Sequence, residues 1–162
     1  MELCQEELKR VLSYCKDTGI FVSNSSGKQV GYISTKGKNS YVRVKVFEKN
    51  YAAHRLAWLY EYGSMPEKPY LIDHIDRNGT NNKISNLRLA TNKQNQENRG
   101  LGSNNTSGFL GVSWHKQKSM WQAKIKHNGI RIWIGLFDSA SEASVAYVLK
   151  AKELFTHAIF GN

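Results

Sequence analysis

One stretch narrows what this chain can fold into more than any other: a short apolar run ending in an Asp-His pair, a polar loop crowded with Asn and Gly, and a second alternating run. It spans Leu71 to Arg99, LIDHIDRNGTNNKISNLRLATNKQNQENR. Leu71-Ile72 lead into Asp73-His74 as a strand would, and Asn86-Leu87-Arg88-Leu89 alternates with the two-residue period of a second strand. Thr91 and Gln94 have capping-box spacing, so a helix is expected to close the unit, with Asn95 in its first turns. A strand–loop–strand–helix unit of this kind can bring Asp73, His74 and Asn95 together although the sequence separates them.

The residue types suit one chemistry. Carboxylate and amide oxygens, here Asp73 and Asn95, are the ligands a hard divalent cation takes. His74 can be neutral near physiological pH and accept a proton from water. Cleaving a phosphodiester expels an alkoxide, which a metal stabilises as a Lewis acid. The helix N-terminus near Asn95 would favour the anionic phosphate.

The unit resembles the HNH endonuclease family, the ββα-metal nucleases, and within it the homing-type enzymes of phages and introns. The likeness runs through Asp73-His74, the loop Asp76-Arg77-Asn78-Gly79-Thr80-Asn81-Asn82, Asn86-Leu87-Arg88 and Asn95, with His54-Arg55-Leu56-Ala57-Trp58 similar to the family's lead-in helix. The resemblance implies that Asp73 and Asn95 hold one divalent ion, magnesium or manganese. It implies that His74 is the general base and that Asn86 fixes that base through a hydrogen bond. It further implies double-stranded DNA as substrate, cut to 5′-phosphate and 3′-hydroxyl ends, and a phage-encoded protein acting in the cytoplasm of a bacterial host. Some relatives carry a zinc held by four cysteines. This chain has only Cys4 and Cys15, both within the first helix candidate, so no structural zinc is expected.

Charge agrees with a nucleic-acid partner. The chain's 162 residues hold 23 Lys and Arg against 13 Asp and Glu, a formal net charge of +10. No apolar run reaches the length of a membrane span, and the polar start MELCQEELKR is unlike a signal peptide. Neither a membrane nor a dimer seam is indicated, so a monomer is expected, with a dimer left open.

Ahead of the central unit, Leu8, Val11, Leu12 and Cys15 have helical spacing, so Glu2 to Cys15 reads as an amphipathic helix, followed by a turn at Asp17-Thr18-Gly19. Gly27 to Ala53 reads as a small antiparallel sheet, with Val42, Val44 and Val46 on one face and Tyr41, Arg43, Lys45 and Phe47 on the other. With Lys28, Lys36, Lys38, Lys49 and Arg55 it forms a basic region. Arg43, Lys45, Arg55 and Arg88 are the DNA-contact candidates of this half, although a solvated sheet face explains any single lysine equally well. His54 opens a helix running to Gly63, as a core histidine beside the base or as a phosphate contact.

Asn98 to Gly108, NRGLGSNNTSG, has linker composition, which divides the chain into residues 1–102 and 103–162. Beyond it, strands are expected over Phe109–His115, Met120–Lys126 and Ile130–Phe137, the last two joined at His127-Asn128-Gly129. Ser139 with Glu142 caps a closing helix. Leu110, Val112, Trp114, Trp121, Ala123, Ile125, Ile132 and Ile134 should face that helix. The opposite face collects Ser113, His115, Gln122, Lys124, Lys126, Arg131 and Trp133, with Lys116 beside them. An open sheet with a cationic face and an exposed Trp suits a DNA major groove.

This half resembles the APETALA-type DNA-binding domain of plant ethylene-response factors in Gly111-Val112, Trp121, Arg131-Ile132-Trp133-Ile134-Gly135, Phe137, Glu142-Ala143 and Ala146-Tyr147. It departs from it at Ser113, His115 and Lys116, where plant members carry Arg, so their base preferences do not transfer. The whole chain is therefore expected to be α+β, an HNH nuclease domain followed by a three-stranded antiparallel sheet packed on one helix. The function expected is a metal-dependent DNA endonuclease of homing type, nicking being the simplest outcome of one site. A DNA-binding repressor or accessory protein with little nuclease activity is the alternative, and RNA cleavage a weaker third.

Overall fold

Apolar spacing near the N-terminus serves two elements rather than one. The structure, a computed structural model, describes residues 3–37 and 39–156, so Glu2 and Lys38 lie outside the described residues. A helix (α1, Gln5–Val11) begins with Cys4 as its N-cap, Sγ accepting from Glu7 N while the Glu7 carboxylate accepts from Cys4 N. It stops at Val11, four residues before the expected end at Cys15, because Asn24 closes it. The Asn24 side chain donates to the carbonyls of Lys9 and Arg10, and Asn24 N donates to the carbonyl of Val11. Those are the terminal acceptors that a helix leaves unsatisfied. Leu12–Cys15 becomes a strand (β1) paired antiparallel with Ile20–Ser23 (β2), which pairs in turn with Gln29–Val30 (β3). Cys15 thus lies on a strand and Cys4 at a cap, not together in one helix.

The basic sheet is Tyr32–Lys36 (β4), Asn39–Val46 (β5) and Lys49–Ala52 (β6), in the order β4-β5-β6. β3 does not join it. Gly31, at φ +115°, turns the chain between β3 and β4 in a region side chains rarely enter. Val44 and Val46 are buried, whereas Tyr41, Arg43 and Lys45 are exposed, as alternation requires. The apolar face packs with the next helix (α2, Ala53–Tyr62), whose Leu56, Ala57 and Leu59 share a core with Leu8, Leu12, Phe21, Val44 and Leu87. Each large side chain enclosed there contributes roughly 1.5–3 kcal/mol.

A pair of strands, Tyr70–His74 (β7) and Leu87–Thr91 (β8), then forms an antiparallel ribbon with Asp73 opposite Arg88 and His74 opposite Leu87. Asn86 does not start the second strand; it ends a 3-10 turn over Ile84–Asn86. A short helix follows (α3, Asn92–Glu97).

The chain divides into two compact units, Met1–Asn92 and Lys93–Asn162. The division precedes the expected linker boundary, so most of α3, with Asn95, groups with the second unit. That unit is built from Val112–His115 (β9), Met120–His127 (β10), Ile130–Phe137 (β11) and a helix (α4, Ala140–Leu154), with sheet order β11-β10-β9. Ser139 caps α4, its hydroxyl accepting from Glu142 N at 3.1 Å. Val112, Ala123 and Ala143 form the core, with Phe109, Trp121, Ile134 and Tyr147 against it. β9 starts at Val112 rather than Phe109 because Gly111, at φ +68°, lies against the Tyr147 ring; any Cβ there would sit 2.1 Å from it. Trp114 shares the inner face but, on the edge strand, stays 46% exposed and meets Trp121 edge-on at 5.2 Å.

Candidate active site

Pairing of β7 with β8 places Asp73 and His74 at the strand end where the Asn-rich loop begins, both buried, at 8% and 6% exposure. Burying a carboxylate is unfavourable unless its charge is balanced. Arg88, directly across the ribbon, supplies the balance: its Nε and Nη2 both donate to Asp73 Oδ2, at 3.1 and 3.0 Å. The sequence suggests Arg88 as a DNA-contact candidate; in the structure its guanidinium engages this carboxylate.

The loop is tied by its own asparagines. Asp76 Oδ1 accepts from Asn78 N and from the Asn86 amide, and Oδ2 accepts from the Asn81 amide. Burial would raise the Asp76 pKa, but the Asn78 N–H and the Asn81 and Asn86 amides outweigh it and hold the carboxyl below its ordinary value. Asn86 is central to this knot. Its Oδ1 accepts from Asp76 N at 3.0 Å, its Nδ2 donates to Asp76 Oδ1 at 2.9 Å and to the Asn81 carbonyl at 2.8 Å, and its own carbonyl accepts from Ile75 N at 2.8 Å. These bonds fix the two residues that follow His74. They do not end on the His74 ring, so the direct bond that the family resemblance implied is replaced by an indirect one.

Asn82, 2% exposed, is bonded to the ring, with Oδ1 3.2 Å from His74 Nε2. Nothing in the sequence distinguishes it from Asn78, Asn81 or Asn86, four asparagines in one loop. Around the ring lie His54, edge-on with centroids 5.0 Å apart, and Tyr41 at 6.2 Å. Burial first, then the charges of His74, Arg55 and Arg43, push His54 down to about 4, which leaves it neutral at physiological pH. His54 is thus a packed neighbour of the base, one of the two roles open to it in the sequence. Gly79 brings the loop onto β5, since a Cβ there would meet the Ser40 carbonyl at 2.4 Å and the Tyr41 ring at 2.6 Å. A polar cleft of about 250 Å³ opens beside this contact, lined by Asn39, Ser40, Tyr41, Arg77, Asn78 and Gly79.

An HNH endonuclease family model matches residues 51–97, which contain α2, the ribbon, the loop and α3. Protein 3.8 of Escherichia phage T7 is 41% identical over 85 residues, 52% of this chain and 69% of that protein. The chain carries an HNH endonuclease family domain. A second relative, the uncharacterized HNH endonuclease L560 of Acanthamoeba polyphaga mimivirus, is 39% identical over 93 residues, 57% of this chain and 46% of that protein. A solved structure described as DNA binding and cleavage by the HNH homing endonuclease I-HmuI is similar over 88% of this chain and 80% of its own, at 23% identity and a TM-score of 0.44.

Within the first unit, Arg43 and Arg55 are exposed, and Lys45 is exposed but paired with Glu48 at 2.6 Å. In the second unit Ser113, Lys116, Lys124, Lys126, Arg131 and Trp133 are exposed, with His115 and Gln122 half-buried. Lys124 lies over the Trp133 ring at 5.1 Å, and Gln122 donates to Ser113 Oγ at 3.1 Å. Among the described residues no three His, Cys, Asp or Glu side chains gather as a metal site, and no helix is long and apolar enough to cross a membrane. A carboxylate such as that of Asp73 is the kind of oxygen ligand that a hard divalent cation takes. Arg88 Nε and Nη2 both donate to Asp73 Oδ2.

Proposed function

We propose that the chain is a metal-dependent endonuclease of double-stranded DNA, with His74 as general base and Asp73 and Asn95 as the residues that would hold one divalent ion. The observation that carries this reading is the buried Asp73-His74 pair at the mouth of a hydrogen-bonded loop, the carboxylate balanced by Arg88 and the imidazole oriented by Asn82. His74 takes a proton from water as its oxygen attacks phosphorus. The bond from phosphorus to the 3′ oxygen breaks, and its electron pair leaves with that oxygen, giving 5′-phosphate and 3′-hydroxyl ends. When bound, a magnesium or manganese ion supplies Lewis-acid stabilisation to the phosphate and the departing oxygen. Arg88 keeps the Asp73 carboxylate in place, and Asn86 holds the loop closed behind the base.

The outer face of the second unit's sheet is the proposed duplex reader, in the manner of the APETALA-type domain it resembles. Lys124, Lys126 and Arg131 meet phosphates, and Trp133, with Ser113, His115, Lys116 and Gln122, approaches the groove. With Arg43, Lys45 and Arg55 on the first unit, one duplex would be held at two places, each raising the effective concentration of the other. The test is cleavage of supercoiled plasmid with magnesium or manganese, with the ends mapped on both strands. His74→Ala should lose cleavage and keep DNA affinity, and chelator should stop the reaction until metal is restored. Wild-type turnover in His74→Ala, or full activity in chelator, refutes the mechanism.

A further inference from the structure

We propose that Asn82 is the positioning residue that sets the tautomer of the base, and that the β1–β2 hairpin holds Asn82 for that task. The inference rests on the reading of His74 as base. Asn82 Nδ2 donates to the Thr80 carbonyl at 3.2 Å, which decides the amide's orientation: rotated by half a turn, it would set oxygen against oxygen. The amide oxygen therefore faces His74 Nε2 at 3.2 Å, and an acceptor there requires Nε2 to carry hydrogen. A neutral imidazole has one N–H, so the lone pair that takes the proton from water is on Nδ1.

What fixes Asn82 comes from before residues 51–97, the part that the family model matches. The Tyr14 hydroxyl on β1 donates to the Asn82 carbonyl at 2.6 Å. Burial pushes the Tyr14 pKa up, so the hydroxyl stays a donor. Two residues further on, Ile84 N donates to the Lys16 carbonyl at 3.1 Å. In the turn itself Gly19, at φ +75°, lies so close that a Cβ would sit 2.5 Å from both the Asn82 carbonyl carbon and Lys83 N. The Tyr14 ring is seated against Phe21 at 4.8 Å and Tyr60 at 5.7 Å, which ties the hairpin to the core. Three contacts from residues 14–19 thus converge on the Asn82 segment, an arrangement that hairpin packing alone does not require.

The experiment combines nitrogen-15 NMR of the histidines, assigned with His74→Ala, with steady-state cleavage of a DNA duplex in magnesium. The wild type should show His74 protonated on Nε2 at neutral to mildly alkaline pH; protonation on Nδ1 overturns the proposal. Asn82→Ala should mix the tautomers and lower kcat by about 10- to 100-fold, the range for groups that orient a site's chemistry, with KM for DNA unchanged. Asn82→Asp, which keeps an acceptor, should restore most of kcat. Tyr14→Phe keeps the ring and should cost a smaller factor, with no further loss when combined with Asn82→Ala, because both act along one line. Additive losses overturn the hairpin's part. An inactive His74→Ala beside a fully active Asn82→Ala refutes this inference alone, whereas an active His74→Ala refutes the base itself.

Discussion

Replacing Asn86 with Ala removes the knot that closes the loop, and its cost follows from the three bonds its side chain makes. The bond ending on the Asp76 carboxylate is worth about 1.5–3 kcal/mol, and the two neutral bonds, to Asp76 N and the Asn81 carbonyl, are worth about 1 kcal/mol each. Asp76 is exposed, so water replaces part of the first. The net is about 3 kcal/mol, which for a unit of this size lowers Tm by about 15 °C. The same change should lower kcat without abolishing metal binding, because Asn86 acts on the loop and not on the ion. Thermal unfolding of the full chain, with cleavage and metal titration at a temperature where the variant stays folded, measures all three. Melting within about 2 °C of wild type would show that the loop does not depend on Asn86, and the physical argument would fail.

Other outcomes follow from the same geometry. Arg88→Ala leaves the Asp73 carboxylate buried without its counter-charge and should destabilise the protein by about 2 kcal/mol, below the range for fully enclosed pairs because Arg88 is partly exposed; chemical denaturation tests this, and an unchanged midpoint would contradict it. His54 is lowered from 6.5 to about 4, so as pH falls the unfolded chain takes up the proton first and stability drops between 6.5 and 4. At pH 5 that loss is about 2 kcal/mol, and His54→Phe should remove this part of the pH dependence in urea titrations at pH 7 and 5. Arg131→Ala with Trp133→Ala should leave cleavage chemistry intact but broaden the cut pattern, and should reduce the slope of log affinity against log salt by about one, since one cation no longer meets a phosphate. An unchanged pattern and slope would mean that the second unit's sheet does not read DNA.

Much of the site is legible in the sequence because its elements are local. The ribbon, its loop and α2 follow from alternation, an Asn/Gly-rich break and helical spacing within a few residues, so the order of residues alone places Asp73 and His74 at a strand end. The second unit's hairpin and capped helix follow for the same reason, since Asn128-Gly129 and Ser139 act on their immediate neighbours. What the chain order alone leaves open depends on contacts between residues far apart. The end of α1 at Val11 is decided by Asn24, which meets those carbonyls only when β1 and β2 pair. Arg88 looks like any exposed basic residue until the register sets it opposite Asp73. Asn82 and Asn86 are chemically identical, and the fold separates their tasks: packing against Tyr14 and Gly19 aims Asn82 at the imidazole, while Asn86 turns to Asp76. Residue types and local periods specify which groups a site contains, whereas strand register and long-range packing decide which of them touch, because hydrogen bonds need their partners within about 3 Å.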